Sequence, residues 1–143
     1  MQDSSKARWP ADLKLFAILS AAWAFGLAGR AAFGMTPFTH APLEAVIAGM
    51  KFYGDAARMV LGIEAAIFAA FAAGILLERR WGLILALCYL AEVVVSHFIF
   101  IIAYLDDLSQ SLDVRIAAAE GPAVVLLLLY VWIRSRDILL ADD

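Results

Sequence analysis

The sequence predicts an all-α integral membrane protein, an antiparallel four-helix transmembrane bundle with both termini cytoplasmic. Three observations carry that expectation. The 143-residue chain is 64% hydrophobic and 17% charged, with a mean hydropathy of +0.85. Its apolar residues gather into four windows of membrane-crossing length. Its basic residues fall at alternate ends of those windows.

A soluble domain is about 45–50% apolar and about 25% charged. A globule of this size has too much surface for its volume to hide the excess. The composition therefore argues against a soluble enzyme domain. The net charge of −3 offers no basic footprint for nucleic acid. The single cysteine, Cys88, rules out an internal disulfide.

The predicted spans cover about 13–33, 57–77, 81–105 and 114–133. Each approaches or exceeds the ~20 helical residues that cross ~30 Å of hydrocarbon. Helix satisfies every backbone polar group in lipid, and the chain is too short and too continuously apolar for a closed barrel. The spans use most of the chain, so 1–143 is one domain, and no internal repeat is visible.

The first span follows Lys6, Arg8 and Lys14. A basic start before an apolar run also fits a cleaved leader, with Gly26 and Ala28 at −3 and −1. The run outlasts the usual leader core, which favours a retained span. The next loop, 34–56, carries a helix-start pattern at Thr39-His40-Ala41-Pro42 with Glu44 in the first turn. Leu43, Val46, Ile47 and Met50 follow at helical spacing, although Gly49 and Gly54 weaken it. That pattern predicts a short interfacial helix. Glu78-Arg79-Arg80 joins spans two and three. Asp106, Asp107 and Asp113 mark the third loop, and Arg134 and Arg136 follow span four. Basic residues stay on the cytoplasmic side, so both termini and the middle turn are expected there. Trp9, Trp81, Tyr104 and Trp132 fall near span ends, as interfacial aromatics do.

Small residues let membrane helices approach closely. Gly62, Ala66, Ala70 and Gly74 recur at four-residue steps along span two. That ridge is expected to pack on another helix of this chain, on a second copy, or on a larger membrane complex.

Ionisable groups inside a bilayer cost about 2.5–3.5 kcal/mol each on insertion scales, so they suggest function. Span two holds Glu64, span three Glu92 and His97, and span four Glu120, with Arg30 near the outer end of span one. At ~1.5 Å per residue, Glu64, Glu120 and His97 fall about 9–12 Å below the outer boundary, and Glu92 roughly 20 Å below it. Three helices thus place ionisable groups in one layer. Phe68 and Phe71 share the helical stripe of Glu64, and Tyr89 and Ser96 share that of Glu92. His97 and Glu92 diverge by roughly 140°, which separates them as parts of one tight site. Glu120-Gly121-Pro122 is expected to interrupt span four and free the Ala118 carbonyl.

Structural roles compete with these functional ones. Glu64 and Glu120 near helix ends suit interfacial water. Glu92 suits a hydrogen bond between helices, and His97 suits packing. Metal and haem are disfavoured. The Glu-x-x-His repeat of di-metal bundles is missing, and the second histidine, His40, lies in a loop. Cys88 has no histidine near it, so nucleophilic catalysis has little support.

Val60-Leu-Gly-Ile-Glu64, an Ala/Phe run to Gly74 and the turn Glu78-Arg79-Arg80 resemble the small four-helix DoxX-like bacterial membrane proteins. Gly26-Leu-Ala-Gly29-Arg30 is similar to that family's Gly-rich exit from the first span. The resemblance covers about 26–100. It implies a multi-pass inner-membrane protein linked to quinone redox chemistry or stress handling, and carries over Glu64 and Arg30. The long first loop, Glu92, His97 and Glu120 depart from it.

The sequence therefore predicts a binding module and leaves enzymatic activity open. Arg30, Glu64, Phe68, Phe71, His97 and Glu120 form its outer-leaflet ligand site, and Tyr89, Glu92 and Ser96 a proton relay. The expected ligand is a lipophile such as a quinone, or a cation. Two alternatives stay open: an accessory subunit docking through the small-residue ridge, and a proton-coupled small transporter using Glu92.

Overall fold

The computed structural model describes residues 9–34, 43–107 and 112–140. Four helices are long and apolar enough to cross a membrane, the signature of a multi-pass membrane protein. They are α1 (Ala11–Phe33), α2 (Gly54–Leu76), α3 (Arg80–Ala103) and α4 (Leu112–Leu140). The signals at Lys6, Arg8 and 39–42, and His40 itself, lie outside the described residues.

Local chemistry sets the helix ends. Pro10 precedes α1, where its missing N–H costs no helical bond. Gly34 ends α1 in the left-handed region at φ 70°, and its N–H donates to the Arg30 carbonyl at 3.0 Å. Gly34 takes this conformation without a Cβ penalty. The C-terminal carbonyls of α1 also receive Arg58, whose Nε and Nη2 donate to Ala31 and Ala32 at 2.8 and 3.1 Å. A cation there also suits the helix dipole.

The end of α2 reverses the chain within a few residues. Arg79 N–H donates to Gly74 O at 2.8 Å and Glu78 N–H to Ile75 O at 3.0 Å, a Schellman motif. Glu78 takes the left-handed position at φ 56°, which usually falls to glycine. Its carboxylate receives Lys14 Nζ at 2.7 Å, so the turn is tied to the start of α1.

Helices pack in chain order, α1 on α2, α2 on α3 and α3 on α4. One apolar cluster joins Leu13 and Ala17 of α1, Phe71 and Ile75 of α2, and Leu83 and Ala86 of α3, with Ile138 and Leu139 of α4 packed against it. Asp12 Oδ2 accepts from Tyr130 at 2.7 Å and from Arg134 at 2.6 Å, fastening α1 to α4 at this same pole. Elsewhere α1 and α4 share no comparably packed interface among the described residues.

Three expectations require correction. Residues 44–53 form a β-hairpin instead of an interfacial helix. β1 (Glu44–Ile47) pairs antiparallel with β2 (Met50–Tyr53) around Ala48-Gly49. Both turn residues have positive φ, 50° and 76°, the geometry that matches strand twist across a two-residue turn. Leu43, Val46, Ile47 and Met50 fit a helix by spacing, but the glycines and the flanking Val-Ile and Phe-Tyr pairs favour strands.

Second, α4 runs unbroken through Pro122. Proline removes one helical bond, and membrane helices tolerate that loss by local adjustment.

Third, the ridge Gly62-Ala66-Ala70-Gly74 meets the expected packing on another helix at Gly74, while Gly62 and Ala66 do not share that contact. Gly74 is buried against Gly82 of α3, where an added Cβ would meet Gly82 Cα at 2.6 Å. Gly62 and Ala66 are exposed and line a shallow apolar groove with Ala21, Ala24 and Ala28 of α1.

Candidate functional site

A cavity of about 760 Å³ opens among the helices, in the roughly 300–1,000 Å³ range of small-ligand sites. Its position follows from the packing. The α1–α2–α3 core closes it on one side, the hairpin covers its outer end, and α3 and α4 complete the wall.

The polar groups come from all four helices. Arg30 reaches in from α1, Glu64 from α2, Tyr89, Glu92, Ser96 and His97 from α3, and Glu120 from α4. Glu44 of the hairpin adds a fourth carboxyl, held by Lys51 at 3.7 Å. The Tyr89 hydroxyl faces Glu64, and Arg30 and Glu92 lie near enough to act on Glu64 through charge.

Arg30 Nε is buried and makes no hydrogen bond, the one such side-chain atom among the described residues. A buried donor without a partner forfeits roughly 1–3 kcal/mol, more when charged, and with almost no accessible surface it meets an acceptor only through a shift of the Arg30 side chain.

His97 has a defined tautomer. Its Nδ1 stands 2.8 Å from Val93 O, and a carbonyl only accepts, so Nδ1 carries the hydrogen. The other nitrogen, Nε2, turns to Glu120 Oε2 at 3.9 Å. His97 is mostly covered while Glu120 is 64% exposed, so the pair runs from the rim inward. At 3.9 Å the two make no direct hydrogen bond, and a hydroxyl set to one side of the line between them would reach both.

The apolar floor is aromatic. Phe16 stacks on Phe71 at 5.9 Å between centroids, and Phe68 meets Phe71 and Tyr89 at 5.1 Å each. Phe68 lines the cavity. Phe71 does not line it: fully buried, it supports Phe68 and Tyr89 from below. Its predicted place among ligand contacts therefore becomes a supporting one.

Glu92 and His97 face one cavity although their helical directions diverge. A space this wide accepts groups from both sides of α3, which the tight-site expectation overlooked. Cys88 is exposed on the outside of the bundle.

Several lining groups escaped the sequence. Trp23, Leu19 and Ser20 belong to α1, and Ile116, Val124 and Leu127 to α4. Nothing in an evenly apolar helix distinguishes a cavity-facing leucine from a lipid-facing one. Ser20 carried a weak signal as a hydroxyl in mid-span. Its Oγ donates to Phe16 O at 2.8 Å, so its own helix satisfies it.

The hairpin tip is seated on α3. Gly49 N–H donates to Ser96 Oγ at 3.0 Å, and a Cβ on Gly49 would collide with Ile99 Cγ2. Ser96 thus anchors the cover, a function distinct from the relay assigned by its stripe. Lys51 Nζ sits over Phe100 and Tyr104 at 5.5 and 5.8 Å from their centroids. Gly49→Ala is expected to lift the hairpin from α3. It combines a positive φ with overpacking, at a cost of about 1–3 kcal/mol. Faster proteolysis within 44–53, with unchanged helical circular dichroism, is the expected result.

Among the described residues no three His, Cys, Asp or Glu side chains cluster as metal ligands. No protein-family model, curated protein or solved structure matches the chain.

Proposed function

We propose that the protein is a ligand-binding module of the cell (inner) membrane, an antiparallel bundle with both termini cytoplasmic. The cavity then lies toward the outer leaflet and holds a lipophilic molecule with a hydrogen-bonding head, such as a quinone. The observation that carries this function is one cavity that gathers Arg30, Glu64, His97 and Glu120 above an aromatic floor. The Arg30 guanidinium offers donors to an acceptor such as a carbonyl oxygen, and Phe68 and Tyr89 offer flat faces to a ring.

The charge pattern supports the orientation. Lys14, Arg79, Arg80 and Arg134 share the pole where α1 starts and α4 ends. By the positive-inside rule that pole is cytoplasmic. The DoxX-like resemblance, which carries over Arg30 and Glu64, is part of the same proposal and points to redox or stress handling.

Arg30 binds the acceptor, Glu64 and Tyr89 orient the head, and the His97–Glu120 pair exchanges a proton with the outer face. Glu92 is the proton reserve of the inner wall. No step here breaks a covalent bond of the protein.

Trp23 lines the cavity and reports on occupancy. Titration of purified protein with ubiquinone-1 is expected to quench tryptophan fluorescence saturably, and Trp23→Phe is expected to remove that component. Linear quenching, identical in the variant, would overturn the proposal.

A further inference from the structure

Among the described residues the cavity has three exits in principle, and two are covered. At the pole of the chain ends, Asp12 holds Tyr130 and Arg134 at 2.7 and 2.6 Å, over the apolar cluster of Leu13, Phe71 and Leu83. At the opposite pole the hairpin supplies Glu44, Ala45 and Val46 to the lining and is pinned through Gly49 to Ser96. The third exit is the seam between α1 and α4. These two helices lack the packed interface that every sequential pair has.

The seam has lips. Leu19 is 61% exposed and Trp23 59%, yet both line the cavity from α1. Ile116 and Leu127 do the same from α4. A side chain that is exposed outside and also borders the cavity stands at its mouth. The lips are apolar apart from Glu120, and they fall within spans whose outer faces meet lipid. The polar groups Arg30, Glu64, Tyr89 and His97 lie behind them.

We infer that the ligand is an amphiphile dissolved in the bilayer, which passes headfirst between α1 and α4 and leaves its hydrocarbon tail in the seam. This rests on the proposed function and adds to it a route of entry and a place for the tail. The seam, not the hairpin, then controls exchange. The head contributes contacts to Arg30 and its neighbours, and the tail contributes contacts to Leu19, Trp23, Ile116 and Leu127. A headgroup without a tail would bind at the same polar groups without touching the lips.

The test places a wedge in each lip separately, Leu19→Trp and Leu127→Trp, with Ile63→Trp as a control on the lipid face of α2. Ile63 is exposed and does not border the cavity. Protein in nanodiscs is challenged with ubiquinone-0, the bare head, and ubiquinone-2, which carries a short isoprenoid tail. Bound probe is quantified by mass spectrometry after rapid removal of excess. Either wedge is expected to lower ubiquinone-2 binding about tenfold relative to wild type while ubiquinone-0 changes by less than about twofold. The control is expected to change neither. Equal loss of both probes in the wedged proteins, or no loss of ubiquinone-2, would overturn the seam as the tail's place while leaving the cavity as a head site. Binding of neither probe to wild type would overturn both.

Discussion

Arg30→Leu is expected to weaken ubiquinone-1 binding roughly 10- to 150-fold, the worth of a charged hydrogen bond of about 1.5–3 kcal/mol. The reason is specific. Arg30 is the one arginine or lysine of the cavity lining among the described residues, and its guanidinium is the donor group proposed to meet the ligand's acceptor. The same substitution removes the positive charge acting on Glu64. A carboxylate left without its cation in a low-dielectric cavity is costly, so Arg30→Leu is also expected to lower thermal stability. Adding Glu64→Gln should restore stability and leave binding weak. Arg30→Lys keeps the charge and loses the planar Nε–H, so binding should fall while stability holds. Fluorescence titration and thermal unfolding in detergent separate the two effects. Unchanged affinity in Arg30→Leu would show that Arg30 takes no part in recognition.

Gly82→Ala is expected to give a large loss of stability for a single added methyl. An added Cβ would stand 2.6 Å from Gly74 C and from Ile75 N, and both are backbone atoms with no rotamer to give. The α2–α3 pair must separate, at a cost of about 1–3 kcal/mol. Phe71, Ile75, Leu83 and Ala86 pack around the same crossing, so the floor of the cavity shifts with it. Gly62→Ala provides the contrast. A Cβ there meets nothing within 4 Å, and alanine in a helix interior is better than glycine by about 1 kcal/mol. The expected melting temperatures therefore fall in the order Gly62→Ala, wild type, Gly82→Ala. Indistinguishable values for the two variants would contradict close helix approach at Gly74.

The spans were legible because backbone hydrogen bonding and bilayer thickness leave a continuous apolar run one option. Boundaries were less so. The fourth window was set at 133, where Arg134 begins, yet α4 continues to Leu140. Polarity ends an apolar window without ending a helix, and Ile138 and Leu139 still find apolar partners at that pole. The hairpin was hidden because Leu43, Val46, Ile47 and Met50 satisfy helical spacing, while Ala48-Gly49 is a less usual turn pair than Asn-Gly.

The candidate site was legible through its charges. Arg30, Glu64, Glu92, His97 and Glu120 stood out against an apolar background, and all border one cavity. Phe71 was misplaced because stripe membership fixes direction and not depth: it points inward, beneath Phe68. Periodicity also gave no hint that α1 and α4 stay apart. That feature arises from pairings between helices distant in sequence, and each helix alone is apolar on nearly every face.

Purification in a mild detergent, followed by extraction and mass spectrometry of what remains bound, tests the central claim most directly. One amphiphile with a hydrogen-bond-accepting head, near one molecule per chain in wild type and strongly depleted in Arg30→Leu, is the expected result. Bulk phospholipid alone, in the same amount in both proteins, would contradict a ligand site built around Arg30.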